Sequence, residues 1–84
     1  MLRAQLLEPL LDALHDKHAM LRACAAMALG NLGDIDALTA LIWIEENDIG
    51  EYESAEGSLE TVSDRAFRAI MGILTGGHLR AIKS

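Results

Sequence analysis

Apolar residues recur at helical spacing in the first part of the chain and predict two helices there. In residues 5–15, positions 6, 7, 10, 11 and 14 are apolar, which is the stripe of an amphipathic helix. A second, alanine-rich helix is predicted from about Ala19 to Leu32. Its apolar stripe consists of Leu21, Ala25, Ala28, Leu29 and Leu32. The turn between the helices is short and polar, so they must run antiparallel, and Gly33 stands where a glycine ends the second.

A third helix is predicted from a cap at Asp34 or Asp36 to about Glu46. Its centre, residues 40–44, is apolar on every side, and a two-layer hairpin cannot bury such a helix by itself. Residues 47–57 combine glycine, asparagine and serine with several acids, and this composition predicts a loop.

A fourth helix is predicted from a cap at Ser58 to about Leu74, with Gly76 and Gly77 ending it. Its apolar stripe consists of Leu59, Val62, Ala66, Phe67, Ile70, Met71 and Leu74. Residues 78–84 are expected to form a short tail.

The two halves of the chain align as an internal repeat. The first helices align with an offset of 30 residues, as Leu14 on Ile44, and the second helices with an offset of 42, as Leu32 on Leu74. The difference places about 12 inserted residues inside the second hairpin. We therefore expect a single domain over residues 1–84, with repeat 1 at about 5–33 and repeat 2 at about 34–75, including an acidic insertion at about 47–58.

The first repeat resembles the short type of HEAT repeat named for the phycobilisome lyases, the enzymes that attach bilins to light-harvesting proteins. The residues that carry the resemblance are Asp16, Leu21-Arg22-x-x-Ala25-x-x-Ala28-Leu29-Gly30-x-Leu32-Gly33-Asp34 and Ala37-Leu38-x-x-Leu41. The second repeat departs from the pattern, because Ser63-Asp64 stands where the family has Val-Arg. The resemblance implies an all-α fold of two HEAT-like helical hairpins, four helices in all, that form a minimal α-solenoid or α-α superhelix.

The resemblance also implies structural roles for five residues. In such repeats the arginine near the start of the second helix bonds an aspartate in the turn or the neighbouring repeat. Carried over, Arg22 would pair with Asp16 or Asp34 as a stacking clamp. Gly30 and Gly33 belong to the same motif and are expected to serve packing and helix termination.

The charge of the chain is unevenly distributed. The net charge is −6, yet no lysine or arginine occurs between Arg22 and Arg65, an interval that carries ten of the 13 acids. No basic cluster is visible that would bind nucleic acid through its phosphates. Two interpretations of the acidic middle stay open: an acidic loop for solubility, or a surface for a basic partner such as the basic end of a second copy.

No catalytic, cofactor-binding or metal-binding residue is predicted. His15 and His18 lie near Asp12 and Asp16, but the helix ends there, so solvated turn histidines are favoured over a metal site. The acids that follow Asp48 do not fit the spacing of a calcium loop. The single cysteine, Cys24, is expected to be a small buried packing residue, and an unpaired cysteine fits a reducing compartment.

Trp43 has two possible roles. The apolar stripe of its helix passes beside it, so the side chain is expected to point partly away from the core. It is then either at the edge of the core or an anchor in an interface. A chain of 84 residues with two repeats leaves apolar end faces uncovered. We therefore predict a non-catalytic protein–protein interaction module that associates with another protein, most simply as a homo-oligomer. The predicted contact residues are Trp43, Ile44, Phe67 and Met71. The alternative is a subunit or relative of a bilin lyase or phycobilisome maturation factor. No signal peptide or membrane span is evident, so a cytoplasmic location is expected.

Overall fold

A computed structural model describes the backbone of residues 2–83 and the side chains of residues 6–75. Its helices are α1 (Leu2–Ala13), α2 (Ala19–Leu32), a 3-10 turn (Ile35–Ala37), α3 (Leu38–Asn47) and α4 (Val62–Lys83). Two short strands, β1 (Glu51–Glu53) and β2 (Leu59–Thr61), lie between α3 and α4. The predicted all-α class with four helices is confirmed, with a small two-stranded sheet added to it. No helix within the described range is both long enough and apolar enough to cross a membrane.

Helix α2 has the predicted bounds because strong local signals fix both of its ends. Gly33 adopts the left-handed conformation, with φ of 74°, and its N–H donates to the carbonyl oxygen of Leu29 at 3.1 Å. The glycine thereby closes the helix as predicted. After it, the carboxylate of Asp34 accepts a hydrogen bond from the N–H of Asp36 at 2.9 Å, and this bond caps the 3-10 turn. Neither predicted residue caps α3 directly: Asp34 caps the 3-10 turn, and α3 begins at Leu38 after Ala37, which makes no side-chain cap bond.

The core is small and built largely from alanine. Its larger members are Leu14, Leu29, Leu41, Ile44 and Val62, and its alanines are Ala23, Ala25, Ala26, Ala37, Ala66 and Ala69. The alanines allow a close approach of α2 to α4. A Cβ atom added to Gly30 would lie only 2.8 Å from the Cα atom of Ala69. The packing role expected of Gly30 is therefore contact with α4.

The acidic insertion is a β-hairpin, so the prediction of a loop over residues 47–57 was wrong. The two strands are antiparallel and pair Tyr52 with Glu60 at their centre. Gly57, with φ of 89°, supplies the left-handed position of the connecting turn. The N–H of Val62 donates to the carbonyl of Gly50 at 3.1 Å, and this bond brings the two ends of the hairpin together.

The start and the end of α4 also differ from the prediction. The helix begins at Val62, and the hydroxyl of Thr61 accepts a bond from the N–H of Asp64 at 3.0 Å, so Thr61 and not Ser58 supplies the cap. The backbone stays helical to Lys83, past the glycines at 76 and 77 that were expected to end it. A glycine inside a helix costs about 1 kcal/mol relative to alanine, which lowers stability without forcing the helix to stop.

Several residues expected in the interior are exposed, and one expected at an interface is buried. Ile44 is only 1% exposed within the core, so it cannot contact a partner as predicted. Leu21 and Cys24 of α2, and Phe67 and Met71 of α4, have substantial exposure. The reason is that the closely packed alanines bury a narrow stripe of each helix and leave the flanking apolar positions in solvent. The contact role of Phe67 and Met71 stays a prediction.

Candidate functional site

One open groove lies between the turn after α1 and the second half of α3. It has a volume of about 460 Å³, and its walls include Leu14, His15, Lys17, Trp43, Asn47 and Ile49. We call it the aromatic groove. Its floor is the core, because Leu14 is fully buried, whereas Ile49 at its rim is 94% exposed. An apolar side chain this exposed beside a tryptophan makes the groove a candidate binding surface.

The aromatic wall of the groove is formed by His15 and Trp43. Their ring centroids lie 6.3 Å apart and the ring planes are tilted by 59°. Trp43 is 55% exposed, and the amide of Asn47 donates to its backbone carbonyl at 2.9 Å. The indole therefore presents an aromatic face to solvent while its helix is held by the core beneath it. Its predicted position, pointing partly away from the core, agrees with this placement.

The lining of the aromatic groove also includes an ion pair between Arg22 and Asp48. The Nε and Nη2 atoms of Arg22 donate to the two carboxylate oxygens of Asp48 at 2.6 and 3.1 Å. The Nη1 atom of the same guanidinium donates to the backbone carbonyl of Asp16 at 2.8 Å. The two side chains are only 18% and 8% exposed. A bidentate pair of this kind fixes orientation as well as distance, so it clamps the turn after α1 to the segment after α3.

The clamp uses a different carboxylate from the one predicted. The carboxylate of Asp16 instead accepts bonds from the backbone N–H and the ring nitrogen of His18, each at 2.9 Å, and Asp34 caps the 3-10 turn. The partner, Asp48, follows α3 in the second hairpin.

The surroundings of both aspartates favour their charged forms. Burial raises the pKa of Asp48, but the hydrogen bonds from Arg22 and from the Gly50 N–H, at 2.8 Å, outweigh it, and the pKa lies below the usual 3.8. The backbone hydrogen bond from His18 is the largest cause of a lowered pKa at Asp16. Both groups are therefore acceptors at neutral pH and do not supply a proton to a ligand.

The two histidines of the first turn, His15 and His18, have separate partners. His18 contacts Asp16, whereas His15 packs against Trp43. Among the side chains that the structure describes, no three histidine, cysteine or acidic groups converge in a way that could hold a metal ion. The aromatic groove is lined by the aromatic rings of His15 and Trp43, the apolar Ile49 and the basic Lys17, besides the aspartates described above.

A second groove separates α2 from the β-hairpin. It has a volume of about 490 Å³, and Met20, Cys24 and Met27 of α2 face Tyr52 across it. We call it the sulfur groove. Cys24 is exposed here, so its prediction as a buried packing residue was wrong. The inward stripe of α2 passes through the neighbouring alanines, and Cys24 shares the outward face with the two methionines. Sequence reasoning missed this groove because its second wall comes from the inserted hairpin.

One comparison with known proteins bears on function. In an alignment 66 residues long that covers 76% of this chain, the sequence is 44% identical to the phycocyanobilin lyase subunit alpha of Picosynechococcus sp.. The chain is therefore similar to a bilin lyase subunit. It spans 25% of the length of that relative. No family model matches the chain, and no solved structure matches it.

This similarity corrects the functional prediction. The sequence pattern favoured a non-catalytic interaction module, with a bilin lyase relative as the alternative. Identity of 44% to a lyase subunit contradicts the first interpretation and supports the second. Stacked helical hairpins occur in many kinds of protein, so the fold alone could not make this distinction.

Proposed function

We propose that this chain belongs to the phycobilisome-lyase HEAT-like family and acts as part of a bilin lyase subunit. The observation that carries the proposal is the 44% identity to a phycocyanobilin lyase subunit over 66 residues. The ligand that this function requires is a bilin, which is a linear tetrapyrrole with an extended conjugated system and two propionate groups. The contribution proposed for this part of the protein is to bind and orient the bilin.

The aromatic groove has the chemistry that a bilin requires. The exposed face of Trp43 and the ring of His15 would stack against the conjugated rings, and the exposed Ile49 would cover their edge. Lys17 lines the groove and makes no ion pair with any described side chain, so its ammonium is available to a propionate. A volume of about 460 Å³ lies within the range of small-molecule sites.

The Arg22–Asp48 pair would give this groove a fixed shape. The guanidinium of Arg22 donates its hydrogen bonds to Asp48 and to the Asp16 carbonyl. In this proposal it therefore does not bind a propionate of the ligand. Preorganised walls reduce the entropy lost when a ligand binds. Lys17 and Trp43 therefore contact the bilin in this proposal, whereas Arg22 and Asp48 hold the surface that positions them.

The test is binding of phycocyanobilin to the purified chain. In gel filtration with phycocyanobilin in the running buffer, we expect a peak of bilin absorbance to elute with the protein. The expected Kd is near 10 µM, which corresponds to a binding free energy of about −7 kcal/mol. Trp43 is the only tryptophan, so quenching of its fluorescence would report contact at this groove. Trp43→Ala should remove co-elution and Lys17→Gln should weaken it about threefold, roughly the value of one exposed charge contact.

The matched control is Phe67→Ala, which removes an equally exposed aromatic side chain from α4. This variant should bind the bilin as the unmodified chain does. The proposal would be contradicted if Trp43→Ala and Phe67→Ala both lost co-elution. It would also be contradicted if the bilin did not co-elute with the unmodified chain.

A further inference from the structure

The sulfur groove has an apolar and adaptable floor. Met20, Cys24 and Met27 follow one another along the exposed face of α2, and Tyr52 of β1 stands opposite them. The distance along the helix from Met20 to Met27 is about 10 Å, or two helical turns. Methionine side chains are unbranched and polarizable, so they adjust to the shape of what packs on them. A floor of this kind suits the apolar stripe of a short helix.

The rim of the same groove is acidic. Glu53 and Glu56 line it from the hairpin, and neither makes an ion pair with any described side chain. Arg65, the one base that lines this groove within the described residues, is already engaged. Its Nε atom donates to the hydroxyl of Tyr52 at 2.7 Å, and its Nη2 atom contacts Glu60 at 2.8 Å. Among the side chains of residues 6–75, nothing compensates the negative charge that the groove presents beside its apolar surface.

The hairpin wall is held in place before any partner arrives. The Arg65–Tyr52 bond joins β1 to α4, and the bond from Val62 to Gly50 closes the hairpin at its base. At its tip, Ser54 donates from its N–H to the carbonyl of Ser58 at 2.8 Å. A wall fixed at its base, middle and tip loses little entropy on binding.

We propose that the sulfur groove binds a basic amphipathic helix of a partner protein. The methionines and Tyr52 would receive the apolar stripe of that helix, and Glu53 and Glu56 would pair with the lysines or arginines that flank it. A bilin is disfavoured here, because its propionates carry the same sign of charge as the rim. This assignment goes beyond bilin handling and concerns a different surface from the aromatic groove.

The probe for the test is a synthetic amphipathic helix of leucine and lysine, labelled with a dye and titrated with the full chain while fluorescence anisotropy is recorded. We expect a Kd near 10 µM. The variant Glu53→Lys with Glu56→Lys should weaken binding about tenfold, the size expected for lost charge complementarity at a groove. A peptide with glutamate in place of lysine should not bind.

The matched control is Asp36→Lys with Glu46→Lys, which makes the same change of charge at two exposed acids that do not line the groove. This variant should bind the probe within about threefold of the unmodified chain, the range left to long-range charge effects. Circular dichroism would verify that both double variants keep their helices. The bound probe should also slow modification of Cys24 by a thiol reagent.

Three results would overturn the proposal. The first is an absence of binding up to about 100 µM probe. The second is equal weakening in the two double variants, because binding would then reflect net charge only. The third is displacement of the probe by phycocyanobilin, or dissociation by the probe of dimers that the chain forms by itself in gel filtration, which would assign the groove to the bilin or to a second copy. None of these results depends on whether the bilin binds beside Trp43.

Discussion

Arg22 and Asp48 lie 26 residues apart and form a bidentate ion pair in which both side chains are largely shielded from solvent. The pair joins two elements that belong to different repeats, the start of α2 and the segment after α3, and Arg22 also holds the turn after α1 through the Asp16 carbonyl. Shielding from solvent strengthens the attraction between the two charges. It also makes removal of one partner costly, because the other charge is then left buried without a partner. This one contact therefore affects both the stability of the domain and the shape of the aromatic groove.

Replacing Arg22 with lysine should destabilise the domain although the charge is kept. Lysine cannot donate two parallel bonds to Asp48 and also reach the Asp16 carbonyl. We expect the free energy of unfolding to fall by about 2 kcal/mol, measured by urea denaturation. The matched control is Arg68→Lys, since Arg68 pairs with Asp64 at an exposed site, and it should change stability by less than about 0.5 kcal/mol. Equal effects of the two substitutions would contradict the role given to the clamp.

The stability contributed by Asp48 should depend on pH. Its pKa is lower in the folded protein than the ordinary value of 3.8, so the unfolded chain takes up the proton more readily. The contribution is complete above about pH 5 and is lost as the pH falls through the lowered pKa.

The comparison that isolates this effect is Asp48→Asn against the unmodified chain. The difference between their free energies of unfolding should be largest near pH 7 and should shrink towards about pH 3. A difference that stays constant over this range would show that the charge of Asp48 does not contribute.

Adding a methyl group to Gly30 should force α2 and α4 apart. The new Cβ atom would lie 2.8 Å from the Cα and 2.9 Å from the Cβ of Ala69. Because the Cα belongs to the backbone, it cannot move aside as the end of a side chain does, and we expect Gly30→Ala to cost about 1 to 3 kcal/mol. Thermal or urea unfolding would measure the change.

Gly72 supplies the matched control for this substitution. It also lies inside a helix, but a Cβ atom added there meets nothing within 4 Å. Gly72→Ala should therefore stabilise the domain by about 0.5 to 1 kcal/mol through helix propensity. If both substitutions had the same sign, the close contact with Ala69 would not be the cause.

Cys24 should react readily with a thiol reagent in the native protein. Its side chain is exposed on the floor of the sulfur groove. We expect the rate of modification by a disulfide reagent to lie within about tenfold of the rate in denaturant, because no unfolding step is needed. A rate slower by several orders of magnitude would mean that the thiol is buried, as the sequence alone had suggested.

The features that the sequence predicted best are those that depend only on neighbouring residues. The bounds of α2 follow from alanine content and from Gly33, whose left-handed conformation is a local requirement. The cap that Asp34 provides, although to the 3-10 turn rather than to α3, follows in the same way. These features need no knowledge of distant parts of the chain, so the amino-acid pattern was sufficient.

Contacts between distant segments could not be read in the same way. Strands of three residues carry too little alternation to be recognised, so β1 and β2 were hidden in an acidic stretch. Asp48 became the partner of Arg22 only through the packing of the two repeats. The exposure of Cys24 depends on how closely the alanine faces meet, and spacing alone does not give that distance.

The hydrogen bond from the N–H of Val62 to the carbonyl of Gly50 means that residues 51–61 leave the helical body and return to it at one point. We therefore expect exchange of residues 51–60 for a segment of different length, as at a graft site, to disturb the four helices least when Thr61 stays in place to cap α4. Evolution could then change what the domain recognises by replacing one hairpin, while the helices, the clamp and the aromatic groove stay the same.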